Sequence, residues 1–396
     1  MVKDGLSNFN STCTILKGLI GVGVLTLPYA TKQVGWLVSV VGLGFVAWLQ
    51  VIGLEFAVKG KAILDGLVPS EVQNLESDSD KEGKEHPFND MSFYDEVVRR
   101  AYGWVGQRLC EAFIVIGQFG TAVAYVNVIT ETICTYQGES IRPFVLMALA
   151  ALLTGLSSIR SLKGISVLSK TGLLIYLFVF GSLLWSSARA YQHGTWMDSA
   201  TWAKSDPNIG LWFGASCFAL GVFGVAIVVH DDMAEPADFL KVVRWSFFYC
   251  WAFYASFAFL GYMCFGDQLK EVVYLNFPDS IARGGSAIAV CAVLIVTYIV
   301  QLLPVYTLAE HLVPATLHYA IPRTLIVFLT VLCAFELPSV TFIIQSVGAT
   351  TGVLSCTVFP ALVYLKLHPN PSVMDYISAG LLLVFALAAM TQIEWS

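Results

Sequence analysis

The first apolar stretch of the chain reads Ile15-Leu-Lys-Gly-Leu-Ile-Gly21-Val-Gly23-Val-Leu-Thr-Leu-Pro28-Tyr-Ala, and it decides the fold. The stretch is apolar enough to cross a bilayer, yet two glycines and a proline interrupt it. Glycine costs about 1 kcal/mol relative to alanine inside a helix, and proline removes a backbone N–H. Hydrocarbon tolerates broken backbone only where protein or a water-filled cavity satisfies the freed groups. The stretch therefore predicts a discontinuous helix at a transporter's binding site, with glycine-mediated helix packing as the alternative.

The composition is typical of a polytopic membrane protein. Hydrophobic residues make up 57% of the chain, charged residues only 13%, and the mean hydropathy is +0.71. Soluble domains carry about 25% charged residues. The polar first ten residues are not basic, so no cleavable signal peptide is expected. The nine cysteines lie mostly in apolar runs and form no C-x-x-C pair, which favours packing over metal binding or disulfides.

Apolar windows of about 20 residues predict eleven transmembrane helices, so the predicted fold class is an all-α polytopic membrane protein. The windows cover 12–33, 35–58, 108–135, 141–157, 167–189, 209–230, 243–265, 285–309, 321–335, 339–366 and 373–393. The fourth and ninth windows are the shortest. The polar, acidic stretch 70–89 has no apolar periodicity, and it predicts a disordered cytosolic loop over 60–90.

The distribution of basic residues orients the predicted bundle. With a cytosolic N-terminus, six of the 22 Lys and Arg residues fall outside and the other sixteen inside. The six are Lys32, Arg142, Arg189, Lys204, Lys270 and Arg283. This asymmetry agrees with the positive-inside rule. We therefore expect a cytosolic N-terminus and an extracytosolic C-terminus.

A second interrupted helix is predicted in the sixth window. It reads Phe213-Gly-Ala-Ser-Cys-Phe218-Ala-Leu-Gly221-Val-Phe-Gly224, with small residues near mid-span. Because the two interrupted windows are five apart, the spacing predicts inverted repeats over 12–190 and 209–366, with 373–393 as an extra helix of one transporter domain, 1–396. Close packing of helices at Gly221 and Gly224 remains the alternative.

Two interrupted helices that meet in a membrane suit a zwitterionic ligand. The N-termini of half-helices present free N–H groups and positive dipole ends, which favour a carboxylate. Freed carbonyls at the other breaks accept an ammonium group or a coupling cation. Both ends of an α-amino acid are then bound by backbone alone, without a buried charged side chain.

The motifs from Thr12 to Leu365 resemble, in order, those of the amino acid/auxin permease family. The resemblance is closest to its proton-coupled amino acid transporters and vacuolar amino acid exporters. It is carried by Leu16-Lys17-Gly18…Pro28, Ser92-Phe-Tyr94…Gly103, Gln118-Phe-Gly120…Tyr125, Met233-Ala-Glu-Pro236…Phe239, Gly261-Tyr262…Asp267, Gln301-Leu-Leu-Pro304…Glu310 and Phe359-Pro360-Ala361. Val22 stands where the family usually has threonine. The resemblance implies the leucine-transporter-like fold, eleven helices and amino acid transport.

The predicted substrate-binding residues are Gly21, Val22, Gly23, Tyr125, Phe218 and Gly221. A tyrosine hydroxyl in hydrocarbon needs a partner, so Tyr125, like Gln118, either lines the cavity or bonds another helix. Thr297 and Gln301 lie one turn apart on the eighth helix, which in this fold faces the break in the first. They are the coupling-ion candidates, although threonine also bonds back to its own helix.

No residue stands out as a proton carrier. Lys17 is expected to snorkel to the interface, with a cationic role near the gate as the alternative. The ionisable residues of the windows fall toward helix ends: Glu55, Glu111, Glu131, Glu310, His230, Asp231 and Asp232. We expect His230 to be a solvated loop histidine. No nucleophile elbow, metal-ligand cluster or Walker-type loop is present in the sequence, so neither an enzyme nor an ATP-driven pump is expected.

The sequence therefore predicts a secondary active transporter of small neutral amino acids that works by alternating access with protons. Sodium coupling and an amino-acid sensor that does not transport are the alternatives. No cofactor, metal, nucleic acid or obligate protein partner is expected besides the amino acid, the coupling ion and membrane lipids. The plasma membrane and a vacuolar or lysosomal membrane both remain open as the location.

Overall fold

The computed structural model describes residues 5–66, 93–158, 165–196, 199–278, 280–312 and 318–391. Within these ranges the fold is all-helical, and the only strand-like pairing is an isolated bridge between Leu6 and Met233. The predicted all-α class is thereby confirmed. The predicted disordered stretch 70–89 lies outside the described residues, and the start of 60–90 continues the third helix to Asp65.

The helices of the described residues follow the predicted windows along the chain. In order they are α1 (Asn8–Leu19), α2 (Gly23–Val34), α3 (Trp36–Asp65), α4 (Phe93–Gln137), α5 (Arg142–Ser157), α6 (Ile165–Gln192), α7 (Ile209–Ala219), α8 (Phe223–Asp232), α9 (Phe239–Phe265), α10 (Ser280–Gln301), α11 (Leu303–Leu312), α12 (Ala320–Glu336), α13 (Val340–Val347), α14 (Phe359–Leu367) and α15 (Val373–Thr391). Two π-helical turns, Gly348–Gly352 and Leu354–Val358, join α13 to α14.

Nine helical stretches of the described residues are long and apolar enough to cross a membrane. The pair α1 and α2, bent by 60°, makes a tenth span. The predicted eleventh span, the short ninth window, is the 17-residue α12, which is not among these ten. The chain is thus a multi-pass integral membrane protein.

The first span breaks where the glycines predict it. α1 ends at Leu19, Ile20 is extended with ψ 98°, and α2 begins at Gly23. Pro28 does not end the helix but lies inside α2. Its ring packs against α9 at Gly261, where an added Cβ would come within 2.6 Å of the proline. The proline therefore sets a close helix contact, while the glycines set the break.

The sixth span breaks at the same depth. α7 ends at Ala219, and α8 begins at Phe223, after Leu220 and Val222 leave helical geometry. One group of helices forms where α7 packs along α2 and where α9 packs along α1, α2 and α3. A second group forms where α12 packs on α4 and α5, and where α10 packs on α4 and α6. α13 contacts both groups, through α7 and α4.

The chain ahead of α1 is bonded to the end of α8. The Leu6 amide donates to the Asp232 carbonyl at 2.7 Å, and the Ala234 amide donates to the Leu6 carbonyl at 3.1 Å. Gly5 lies so close that an added Cβ would meet the Ala234 nitrogen at 2.6 Å. We call the side of the bundle that holds this bridge the N-terminal face.

The connection between α9 and α10 folds back into the opposite face. Val272, Val273 and Tyr274 are fully buried, and the Tyr274 hydroxyl lies 2.6 Å from that of Thr132 on α4. Glu271 caps α13, because its carboxylate accepts from the Val340 amide at 2.7 Å and from the Thr341 amide at 3.2 Å. A carboxylate at a helix N-terminus also interacts favourably with the helix dipole.

We expect Glu271→Ala to lower the thermal unfolding midpoint of the purified chain. The substitution removes the partner of two amides and of the Ser339 hydroxyl, and a lost N-terminal cap costs about 0.5–2 kcal/mol. The matched control is Glu336→Ala, which removes an exposed carboxylate from the end of α12. An equal midpoint for both variants would contradict the capping role.

Candidate functional site

A cavity of about 250 Å³ lies where the two breaks meet. Its walls come from both broken spans, from α4, from the end of α10 and from the π-helical turns after α13. The polar side chains that line it are Gln118, Thr121, Tyr125, Gln301, Thr351 and Ser355. None of the described residues that line it is Asp, Glu, Lys, Arg or His. The cavity therefore offers dipoles and hydroxyls to a ligand rather than charged side chains.

The structure brings the six predicted substrate-binding residues together at this cavity. Gly21, Val22, Gly23, Tyr125, Phe218 and Gly221 all line it. Of the two coupling-ion candidates, Gln301 lines the cavity and Thr297 does not. Sequence reasoning gave no sign of the contribution from the tenth window, where Gly348, Thr351 and Ser355 complete the wall.

Backbone amides at the first break are free to bind a ligand. Among the hydrogen bonds of the described residues, the amides of Val22 and Gly23 have no partner, whereas the Gly21 amide faces the Tyr254 hydroxyl. The N-terminus of α8 also borders the cavity through Phe223 and Gly224. Since a helix N-terminus carries a partial positive charge of about half a unit, both half-helices favour an anion here. A ligand carboxylate is the group that this geometry suits.

The freed carbonyls of the two breaks share one partner that sequence reasoning missed. The Tyr254 hydroxyl on α9 lies 2.5 Å from the Leu19 carbonyl and 3.2 Å from the Ala219 carbonyl. Tyr254 is fully buried, so its hydroxyl group reaches no solvent. Its single proton is shared between the last carbonyl of α1, which is nearer, and that of α7, both of which would otherwise be buried orphans. Tyr254 thus ties the two breaks together.

Tyr125 lines the cavity from α4 and is almost wholly buried. Its hydroxyl lies beside that of Thr297 on α10. Thr297 in turn donates to the Val293 carbonyl of its own helix at 2.8 Å. Tyr125 therefore lines the cavity beside α10, and Thr297 bonds back to its own helix.

Gln118 and Gln301 form the polar contact between α4 and α10. The Gln301 amide donates to the Gln118 side-chain carbonyl, and both residues line the cavity. Gln301 is the last residue of α10, and Pro304 follows in α11. Because proline cannot donate to the turn before it, the helix is interrupted at this point. The interruption places an amide pair at the cavity wall.

The two glycines of the first break differ in their surroundings. An added Cβ at Gly21 would find no atom nearer than the Leu19 carbonyl oxygen, at 3.9 Å. At Gly23 the added Cβ would lie 2.8 Å from the Ala219 Cα and 2.9 Å from its Cβ. Gly23 therefore permits close approach of the broken spans, whereas Gly21 has room toward the cavity.

The ionisable residues singled out from the sequence lie away from the cavity lining. Four carboxylates are in ion pairs: Glu55 with Arg244, Glu111 with Arg108, Glu131 with Arg142 and Glu310 with Arg323. His230 is only 5% exposed and packs against Phe239, so the expectation of a solvated histidine was wrong. No group of His, Cys, Asp or Glu among the described residues could hold a metal ion.

The cavity opens toward the N-terminal face. Its exposed lining residues, Gly18, Gly221, Gly224 and Val225, all lie at the breaks or on the half-helices that lead there. On the other side, nine of the twelve residues of α2 are buried. Gly348 approaches α7 so closely that an added Cβ would lie 2.7 Å from the Phe218 nitrogen. The bundle is therefore closed on the side opposite the N-terminal face.

The matches to known proteins cover nearly the whole chain. The family model described as "Transmembrane amino acid transporter protein" matches residues 4–391. The Arabidopsis thaliana protein "Amino acid transporter AVT1E" is 23% identical, with 90% of this chain and 68% of the relative covered. "Amino acid transporter ANT1" of the same plant is 26% identical, with 78% of this chain and 68% of the relative covered.

A longer animal relative covers nearly the whole chain. The Xenopus laevis protein "Putative sodium-coupled neutral amino acid transporter 10" is 22% identical, with 97% of this chain covered. This chain spans only 37% of that protein's length. The similarity extends over the described bundle rather than over one motif.

Proposed function

This chain belongs to the transmembrane amino acid transporter family, and we propose that it moves small neutral amino acids by alternating access, coupled to protons. The family is one of transporters rather than enzymes, and its substrates are amino acids. The observation that carries the proposal is the cavity lining, which joins free helix N-termini to uncharged side chains among the described residues.

The proposed binding mode uses the break in the first span for the carboxylate. The amides of Val22 and Gly23 donate to it, with the dipoles of α2 and α8 adding to the attraction. The ligand's ammonium is left for side-chain and backbone oxygens of the wall. A charged ligand side chain would find no opposite charge in the described lining, which favours neutral amino acids.

The size of the cavity favours a small ligand. At about 250 Å³ it is smaller than the roughly 300–1,000 Å³ of pockets for drug-sized molecules. Phe218 and Phe223 supply apolar surface for the ligand's side chain. The variant Phe218→Ala should therefore take up larger neutral amino acids better, relative to the substrate alanine, than the parent chain does. Competition assays measure the ratio of the two uptake rates.

Proton coupling is favoured over sodium coupling by the contacts of Tyr254. In transporters built on broken helices, freed carbonyls at the breaks coordinate the coupling cation. Here the carbonyls of Leu19 and Ala219 already accept from one buried hydroxyl. The Thr297 hydroxyl likewise donates to the Val293 carbonyl of its own helix. A sodium ion at these oxygens would have to compete with hydrogen bonds that are already formed.

Uptake into proteoliposomes tests the proposal directly. We expect labelled alanine, proline or glutamine to accumulate under an inwardly directed proton gradient and to stop accumulating when the gradient is collapsed. Replacing sodium with choline should leave uptake unchanged; a choline-sensitive signal would instead establish sodium coupling. Substrate binding without flux would establish the sensor alternative, and the absence of both would overturn the proposed function.

We propose that the N-terminal face is cytosolic, which makes the described state inward-facing. Val225 is 40% exposed and lines the open end of the cavity. A Val225→Cys variant in sealed, right-side-out vesicles should therefore resist an impermeant maleimide until the vesicles are permeabilised, and a bound substrate should slow the labelling. The parent chain gives the background from its own cysteines. Full labelling of sealed vesicles would reverse the orientation.

A further inference from the structure

A second cavity, of about 620 Å³, lies on the outside of the bundle between α3, α9 and α15. We call it the lateral groove. Its apolar wall is formed mainly by Trp48, Phe248 and Trp251, and Ser378 of α15 contributes to the opposite side. Glu55 and Arg244 are its only charged residues among the described lining. It shares no lining residue with the substrate cavity.

The lateral groove faces the lipid. Trp48 is 49% exposed and Phe248 is 50% exposed, although both lie on helices long and apolar enough to span the bilayer. Side chains exposed within a span contact hydrocarbon rather than water. A groove of this size beside lipid tails is therefore filled by an acyl chain and not by water, which needs polar partners.

The groove is polar at one end only. Gly44, Trp48, Ile52 and Glu55 follow one face of α3, over an axial length of roughly 16 Å at about 1.5 Å per residue. The apolar residues occupy the deeper part, and Glu55 lies nearest the N-terminal face. This polarity matches a lipid whose head group lies at the N-terminal face and whose chain runs toward the membrane centre.

The polar end carries an excess of positive charge. Arg244 donates through Nε and Nη2 to one oxygen of Glu55, at 3.1 Å for the Nε contact. The Arg244 side chain is 62% exposed, so donors remain open to the membrane surface. Lys241, one turn earlier on α9, is also exposed. One carboxylate against two cations leaves a site for an anion.

We propose that the lateral groove binds an anionic phospholipid, with one acyl chain along Trp48 and Trp251 and its phosphate on Arg244 and Lys241. Arginine pairs with phosphate through a planar, often bidentate contact, and basic pockets between spanning helices suit anionic head groups. The bound lipid would join α15 to α3 and α9, the helices that support the broken spans. The proposal does not depend on which substrate the chain transports.

Native mass spectrometry of the full chain tests this proposal. The detergent-purified protein is titrated with phosphatidylglycerol or with phosphatidylcholine of the same chains. We expect one phosphatidylglycerol to bind at least tenfold more tightly than phosphatidylcholine. The double variant Glu55→Gln/Arg244→Gln, which leaves no unpaired buried carboxylate, should lose this preference. Ser378→Trp, which places a large side chain on the α15 wall of the groove, should weaken the binding of both lipids.

Arg100→Gln is the matched control. Arg100 lies at the same face and pairs with Glu96 four residues earlier, outside the groove. It should leave both affinities unchanged. The two groove variants act on different walls, the double variant on α3 and α9 and Ser378→Trp on α15. Either of them, once shown to be monodisperse by gel filtration, is therefore informative. Equal affinity for the two lipids in the parent chain, or unchanged phosphatidylglycerol binding in a groove variant, would overturn the proposal.

Discussion

Gly21→Leu should abolish amino acid uptake while the chain remains folded. The added side chain finds no atom nearer than 3.9 Å from its Cβ, so the backbone need not shift. It would project toward a cavity of only about 250 Å³ and cover the amides proposed to bind the carboxylate. We expect uptake to fall at least a hundredfold, as measured in proteoliposomes, with a normal gel-filtration profile.

Two matched variants separate this effect from general damage. Gly181→Leu introduces the same side chain on α6, where an added Cβ meets nothing within 4 Å, and should transport normally. Gly23→Ala should lower the folded yield, because its Cβ would lie 2.8 Å from the Ala219 Cα. If Gly21→Leu kept half or more of the parent uptake, the first break would not be the binding site.

Tyr254→Phe should reduce uptake at least tenfold. The change removes only a hydroxyl, which leaves the buried carbonyls of Leu19 and Ala219 without their shared donor. An unsatisfied buried group costs about 1–3 kcal/mol, and here the cost falls on the geometry of both breaks. Uptake rates and substrate affinity, measured at equal amounts of folded protein, should both decline.

Tyr262→Phe provides the control for this second prediction. Tyr262 lies two turns later on α9 and is equally buried, but its hydroxyl accepts from the Thr201 amide at 3.2 Å, away from the breaks. Both substitutions should lower the thermal unfolding midpoint, whereas only Tyr254→Phe should impair transport. Equal uptake by the two variants would show that the Tyr254 hydroxyl matters for stability alone.

The parts of the fold that follow from local chemistry could be predicted from the sequence. Glycines inside an apolar window weaken the helix whatever its neighbours are. Gly21 and Gly23 therefore predicted the break after Leu19. The same reasoning located the break at Gly221. Apolar length alone predicted the ten spans that the described residues contain.

The remaining features depend on which helices become neighbours. Nothing around Tyr254 in the sequence distinguishes it from the other aromatic residues of α9, because its role arises only when two breaks meet beside it. The different surroundings of Gly21 and Gly23 likewise depend on the approach of Ala219 from another span. Periodicity along one helix contains no information about such contacts.

The bridge between Leu6 and Met233 makes the start of the chain a mechanical extension of the sixth span. Force applied ahead of Gly5 would be transmitted to the end of α8 as well as to α1, because backbone hydrogen bonds join them. A fluorescent label near residue 6 would therefore report the displacement of α8 during the transport cycle. A bulky protein fused near residue 6 would hinder the movement of α8 and slow the transport cycle.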